Sequence, residues 1–207
     1  AAGANTATLV LSAAQISAIG SITELAGDTL TINTTVAGYQ ALGAKAAGVT
    51  VTITDTAQNI VAAGNSISGV TAAIGNATVA EAQSALASGL TVSYTLVDTA
   101  ANLALAPVAV FQSASALNVL GTATSAQASS IQANISGIGA LTAQTVTLNV
   151  SDTASNVANY LTDTVDADTV VATGNEAMTV SQATALAGLN PNATFKIHDT
   201  PANLVTA

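Results

Sequence analysis

The feature that most constrains this chain is a repeated strand-and-turn pattern. Short stretches of alternating apolar and polar residues end at an Asp-Thr dipeptide, and an Asn follows four residues after each Asp. The paired positions are Asp55 and Asn59, Asp98 and Asn102, Asp152 and Asn156, and Asp199 and Asn203. A chain built from one such unit has to fold as similar pieces that cover one another's apolar faces, because a single unit is too small to bury its own.

The residues before each Asp alternate with a period of two, which is typical of a strand with one buried face. The second residue before the Asp is apolar in every copy: Ile53, Leu96, Val150 and Ile197. A degenerate fifth copy ends at Thr34, with Leu30 and Ile32 predicted to face inward.

The residues after each Asp favour a short helix. Asp is a favoured N-cap because its carboxylate accepts backbone N–H groups of the first helical turn. Ala-rich stretches at residues 57–63, 100–106 and 154–161 are compatible with helices. The Asp is therefore predicted to cap its own helix. The paired Asn is predicted to bond backbone groups of its own turn or of the next repeat.

A second, weaker unit lies between these copies. It joins a residue able to cap a helix, near Ser12, Thr78, Thr124 or Thr179, to an Ala- and Gln-rich segment. The turn-rich residues 64–75 are predicted to form a loop. Residues 104–121, which contain Pro107, are predicted to hold an extra helix or an irregular insertion.

Together these patterns predict an α/β fold: a repetitive strand-plus-short-helix solenoid with a parallel sheet, forming a single repeat array over residues 1–207. The motif copies lie near residues 28–39, 49–60, 92–103, 146–157 and 193–204. The alternative is a single compact α/β domain with one twisted sheet. Both architectures predict the same inward-facing and outward-facing strand residues.

Composition excludes several classes of function. The net charge is -9, and Lys45 and Lys196 are the only basic residues, whereas nucleic-acid binding needs many cations to neutralise phosphate. Cysteine is absent, so disulfides and thiolate metal sites are excluded. No long apolar run follows a basic start, so neither a signal peptide nor membrane insertion is predicted.

One acidic cluster supplies the leading candidate metal ligands. Asp163, Asp166 and Asp168 lie within six residues, and carboxylate oxygens are the ligands that Ca²⁺ prefers. The sequence lacks the EF-hand spacing and the glycine-rich calcium nonapeptide. A solvated acidic loop is therefore the leading interpretation, and a weak Ca²⁺ site is the alternative. No other cofactor is expected.

Catalysis is not predicted, because the chain has no Arg, no Cys and a single His, His198. The other copies of the repeat carry Thr54, Val97 and Ser151 at the position of His198, which indicates an ordinary surface position. A catalytic His needs a nucleophile or an orienting partner. Outward Thr-x-Thr rows, such as Thr50 to Thr54, are of the kind displayed by ice-binding β-solenoids. They are equally good residues for a solvated strand face.

The copies Thr-Asp-Thr-Ala-Gln-Asn-Ile, Val-Asp-Thr-Ala-Ala-Asn-Leu and Ser-Asp-Thr-Ala-Ser-Asn-Val resemble repeat regions of large secreted bacterial surface and adhesin-like proteins. The resemblance implies an extracellular or cell-surface location and a structural or adhesive role.

We therefore expect an extracellular structural protein that self-assembles head to tail, with copies of itself as partners, into a matrix filament or surface layer. One alternative is a spacer or binding module of a large adhesin. The other is an ice-binding protein.

Overall fold

Strands and short helices alternate along the chain in the computed structural model, which describes residues 5–141, 145–159, 167–174 and 177–205. The strands are β1 Thr6–Val10, β2 Thr29–Thr34, β3 Thr50–Asp55, β4 Thr71–Ala77, β5 Val92–Thr99, β6 Ala114–Leu120, β7 Val146–Thr147, β8 Asn149–Thr153 and β9 Thr169–Thr173. The helices are α1 Ala13–Ala18, α2 Val36–Leu42, α3 Ala57–Ala63, α4 Val79–Ala87, α5 Ala100–Ala104, α6 Val108–Gln112, α7 Ser125–Ile135, α8 Ala154–Asn159, α9 Val180–Leu189 and α10 Pro201–Val205.

The first seven strands form one parallel sheet whose order follows the chain, from β1 to β7. Strands β8 and β9 form a second parallel pair. Each connection between two consecutive strands of the same sheet contains at least one helix, so the α/β class with a parallel sheet is confirmed.

The chain divides into two compact units, residues 1–95 and 96–207, and the division falls inside β5. In the first unit, α2 packs against α1, α3 and β3, and α3 packs against α4 and β4. A core cluster of Ile16, Ile32, Leu42 and Ala46 lies between helices and sheet, because alternate strand residues and one helix face are apolar.

The second unit is centred on its longest helix. Helix α7 packs against α5, α6, α8 and β8. Ile131 of this helix, Phe111 of α6 and Leu148 before β8 are completely buried. None of the helices within the described ranges combines the length and the apolar character needed to cross a lipid bilayer.

The predicted burial of the strands is confirmed for Ile53, Leu96 and Val150, which are fully buried, and for Ile32 in the degenerate copy. It is wrong for Ile197, which is exposed. The segment around Ile197 forms only isolated parallel bridges, from Thr194 to Val171 and from Ile197 to Met178.

The predicted short helices begin where expected, at Ala57, Ala100 and Ala154. The extra helix predicted within residues 104–121 is present as α6, and the strand β6 follows it there without having been predicted. The loop predicted over residues 64–75 is wrong in part, because β4 begins at Thr71.

Candidate functional site

The repeated Asp forms the same small hydrogen-bonded turn in every copy. In the first copy, Asp55 Oδ1 accepts the backbone N–H of Thr56 at 2.7 Å and the side-chain amide of Asn59 at 2.7 Å. The same two bonds join Asp98 to Thr99 and Asn102, Asp152 to Thr153 and Asn156, and Asp199 to Thr200 and Asn203. The paired Asn therefore bonds the carboxylate of its own turn.

The helix N-cap is the Thr that follows the Asp, so the interpretation of the Asp as its own helix's cap is wrong by one residue. Thr56 has an extended backbone, and its Oγ1 accepts the backbone N–H of Asn59. Thr99 plays the same part for Asn102. Thr is an effective N-cap, and its use here leaves the Asp carboxylate available for another N–H group.

That other N–H group belongs to the preceding strand–helix repeat. Asp55 Oδ2 accepts the backbone N–H of Val36, 19 residues earlier, at 3.0 Å. Val36 is the first residue of α2, where backbone N–H groups lack partners within the helix. The Asp thus closes its own turn with one oxygen and caps the previous helix with the other.

The same hydrogen bond from an Asp carboxylate to an earlier helix, which we call the reach-back, occurs in the second unit. Asp152 Oδ2 accepts the N–H of Ser125 at 2.9 Å, and Asp199 Oδ2 accepts the N–H of Val180 at 3.0 Å. Ser125 and Val180 are the first residues of α7 and α9. A negative carboxylate is also favourable at the positive end of a helix dipole. These three Asp residues therefore link neighbouring repeats.

The hydrogen bonds also set the ionisation of the carboxyls. Partial burial on its own raises the pKa of Asp55, but the bonds from Asn59, Thr56 and Val36 outweigh it and hold the pKa below its ordinary value of 3.8. The pKa of Asp152 is lowered in the same way against the effect of burial. Each bond stabilises the charged form, so these groups are carboxylates at neutral pH.

The weaker unit of the sequence is a set of capping boxes. Ser12, Thr78, Thr124 and Thr179 are the N-caps of α1, α4, α7 and α9, and the Gln or Glu three residues later reaches back to the cap's own N–H. Glu81 Oε2, for example, accepts the Thr78 N–H at 2.9 Å. We call these four the capping-box repeats, and those with Asp55, Asp98, Asp152 and Asp199 the Asp repeats.

The candidate metal ligands are only partly described. Asp163 and Asp166 lie outside the described residues. Asp168 Oδ2 accepts the backbone N–H of Leu148 at 2.9 Å, which ties residue 168 to the segment before β8. One oxygen of this carboxylate is therefore used within the fold. In the described ranges, no group of three His, Cys, Asp or Glu side chains is arranged to hold a metal ion.

The remaining charged candidates lie at structural positions. His198 is exposed, and its backbone N–H donates to the Met178 carbonyl at 3.0 Å. Lys45 Nζ donates to the carbonyls of Ile16 and Ser17 at 3.0 and 3.3 Å, in the last turn of α1. A cation is favourable there because the C-terminal end of a helix carries partial negative charge.

An open depression of about 540 Å³ lies beside the first Asp repeat. Its lining includes Asp55, Gln58, Asn76 and Glu81. The Asp55 carboxylate in this depression accepts hydrogen bonds from Val36, Thr56 and Asn59. The Glu81 carboxylate accepts a hydrogen bond from Thr78. These acids therefore serve the local fold.

Strand threonines line up in register in the first unit. Thr8, Thr31 and Thr50 form one row across β1, β2 and β3, and Thr52 lies beside Thr71 in the next row. Residues of one row are about 4.8 Å apart, and alternate residues of one strand about 6.7 Å apart. Asn33 and Val10 interrupt the second row.

Comparison with known proteins adds no assignment. No protein-family model matches the chain, and a search of curated proteins found no significantly similar sequence.

Sequence reasoning missed three features of these sites. The capping residues of the boxes were predicted, but the bond from the Gln or Glu side chain back to the cap was not, although Ser or Thr followed three residues later by Gln or Glu is a local signal for it. The reach-back of the Asp carboxylate and the contact of Lys45 with α1 have no local signal, because they join residues 19 to 29 positions apart.

Proposed function

We propose that the protein is an extracellular structural protein whose copies associate head to tail into a matrix filament or surface layer. The observation that carries this proposal is the use of the repeated carboxylates, which join one strand–helix repeat to the next. Such bonds favour a strand-plus-helix solenoid, in which every repeat stabilises its neighbour. The resemblance of the Asp-Thr-x-x-Asn copies to secreted bacterial surface proteins supports the location.

Exposed apolar side chains support association with other copies. Leu9 and Val10 on β1 are 41% and 78% exposed, and Leu204 and Val205 on α10 are 49% and 86% exposed. β1 is also an edge strand of the sheet. Edge strands and apolar patches are the surfaces through which repeat proteins stack. We accordingly propose a non-catalytic role.

Electron microscopy and sedimentation velocity of the purified protein test this function. We expect polymers or sheets that grow with protein concentration and dissociate on dilution. Particles that remain monomeric at high protein concentration would rule out self-assembly and favour the second candidate.

The second candidate is a spacer or binding module of a large secreted adhesin. It is favoured by the same exposure of Ile197 and Leu204, since further covalently linked repeats would cover these residues equally well. An intact mass far above 20 kDa for the natural protein, or a gene that extends the reading frame through more repeats, would select this candidate.

Ice binding is a third candidate, favoured by the registered Thr rows of β1 to β4. Thermal hysteresis of a millimolar solution measures it directly. Loss of hysteresis in Thr31→Val, with unchanged thermal stability, would support a Thr-based ice surface, and the absence of hysteresis in the wild type would exclude it.

A weak Ca²⁺ site in the acidic stretch remains a proposal. Titration calorimetry at millimolar Ca²⁺, a range found for weak extracellular sites, should give heat with the wild type and less with Asp166→Ala. If the wild type gives no heat, the stretch is a solvated loop.

A further inference from the structure

The reach-back of Asp55 continues the pairing of two strands beyond the end of their ladder. β2 and β3 are paired up to Thr34 and Ile53, and the Asp55 carboxylate accepts the N–H of Val36, so the bond joins the residues two positions further along each segment. Alternate residues of a parallel strand bond the same neighbouring strand, so the next acceptor in the ladder would be a backbone carbonyl. The Asp side chain takes that place where β2 gives way to α2.

The second unit shows the backbone acceptor and the side-chain acceptor in succession. The N–H of Ala123 donates to the backbone carbonyl of Asn149 at 2.8 Å, and the N–H of Ser125, two residues later, donates to the Asp152 carboxylate at 2.9 Å. The same succession begins at Met178. Each reach-back therefore carries the connection between two strands one step further, into the helix that follows the first of them.

The helices of each unit do not pack evenly against one another. α1 packs extensively against α2, and α3 against α4, whereas α2 and α3 make only a small contact. The core cluster of the first unit agrees with this grouping, since Ile16, Ile32, Leu42 and Ala46 belong to α1, β2, α2 and the turn after α2. In the second unit α7 packs extensively against α5 and only slightly against α8. Asp55 and Asp152 therefore span the two boundaries at which helix packing is sparse.

We propose that the α2–α3 and α7–α8 boundaries are seams between packed groups of helices, and that the reach-back carboxylate is a strap that keeps each seam closed. When the strap is released, the helices on either side separate while the strands beneath them stay paired, because the strand pairing ends two residues before the strap. Such opening is a local unfolding event. It lets the chain bend or lengthen at defined boundaries before the sheet is lost, which suits a structural protein under load.

Distance measurements between pairs of spin labels test the strap at Asp55. The chain has no cysteine, so two introduced thiols carry the labels. Gln40→Cys with Gln58→Cys spans the α2–α3 seam, and Gln58→Cys with Gln83→Cys spans the extensively packed α3–α4 boundary as the matched control; all three positions are exposed. When Asp55→Asn is added, we expect a longer and broader distance distribution for the seam pair and an unchanged distribution for the control pair.

A second substitution separates the strap from a general loss of stability. Glu81→Gln removes a carboxylate that caps its own helix, α4, so it should leave the distribution of the seam pair unchanged. Equal broadening of both label pairs in Asp55→Asn would indicate a loosened fold without a seam, and unchanged distributions in both would show that Asp55 does not hold the boundary. Either result overturns the proposal. Neither bears on self-assembly, because the seams belong to the single chain.

Hydrogen exchange gives an independent test at the other seam, which also serves if Asp55→Asn does not fold. In Asp152→Asn, the amide of Ser125 should exchange at least about tenfold faster than in the wild type, as expected for the loss of a hydrogen bond to a charged acceptor. The amide of Ala123, which donates to Asn149, should keep its wild-type rate. Acceleration of both amides by the same factor would mean that helix and strands open together, and would overturn the proposal.

Discussion

At the scale of single residues, the Asp carboxylate holds two repeats together because its two oxygens accept from different directions. Oδ1 of Asp55 serves Thr56 and Asn59, and Oδ2 serves Val36. An amide of the same size can accept at only one of these atoms, because the other becomes an NH₂ donor. Asp and Asn are therefore not interchangeable at this position.

The first prediction follows from that difference. Asp55→Asn should lower the free energy of unfolding by about 1–2 kcal/mol, because the amide donor faces the N–H groups that the carboxylate accepts. Chemical denaturation at neutral pH measures the loss, with Gln58→Ala, an exposed position of the same helix, as the control. An unchanged midpoint would show that the bond to Val36 contributes nothing to stability.

The second prediction concerns pH. The pKa of Asp55 and Asp152 is lower in the folded protein than the ordinary value of 3.8. Their contribution to stability is therefore complete above that value and is lost as the pH falls through the lower folded pKa. The stability difference between the wild type and Asp55→Asn should be largest at neutral pH and should shrink below about pH 4. A difference that stays constant down to strongly acid pH would contradict this explanation.

At the scale of elements, close packing of α2 on β2 depends on a glycine. Gly38 lies in α2, and a Cβ there would collide with Oγ1 of Thr34, which donates to the Leu11 carbonyl at 2.7 Å. The helix can approach the strand because Gly38 has no side chain.

The third prediction tests this approach. Gly38→Ala should reduce the free energy of unfolding by about 1–3 kcal/mol, because Thr34 or the helix has to move. Gly188→Ala is the matched control, since it lies in α9 with no atom within 4 Å of an added Cβ. The control should be stabilised by up to about 1 kcal/mol from helix propensity. Thermal unfolding of both variants checks the opposite signs.

Local sequence patterns predicted the elements whose signals are local. The alternation before Asp55 and the Ala-rich stretch after it correspond to β3 and α3. β4 was missed because its sequence, with Gly75 and several Ala residues, has low strand propensity, and its conformation comes from pairing with β3. The strand expected near Ile197 lacks regular pairing, which no pattern within that segment could reveal.

In the candidate site, too, only the features with a local sequence signal were predictable. The Asp and Asn of each motif were identified because their spacing is regular, and their bond is local. The bonds of Asp55, Asp152 and Asp199 to the preceding repeat could not be predicted, because a single sequence does not show which N–H group lies beside a strand end 19 or 27 residues later.

At the scale of the whole molecule, the net charge bears on the proposed association between copies. The net charge is -9, and the exposed apolar residues that support association carry no charge. Identical copies therefore repel one another at long range, while the proposed association is apolar.

The fourth prediction follows from this balance and rests on the proposed assembly. Raising the salt concentration from about 10 mM to about 150 mM shortens the screening length from about 30 Å to about 8 Å, so repulsion between copies weakens. Assembly should then begin at a several-fold lower protein concentration, as sedimentation velocity can show. Weaker assembly in salt would indicate a contact held by ion pairs.

The backward reach of the Asp carboxylates has a consequence for the order in which a growing chain becomes stable. The backbone N–H of Val36 gains its hydrogen-bond acceptor only when Asp55 has been synthesised, 19 residues later. The N–H of Ser125 gains its acceptor only with Asp152, 27 residues later. During translation α2, α7 and α9 therefore lack one of their caps until the following Asp repeat has been synthesised. A product truncated before Asp55, Asp152 or Asp199 therefore contains a helix, α2, α7 or α9 respectively, that lacks this carboxylate cap.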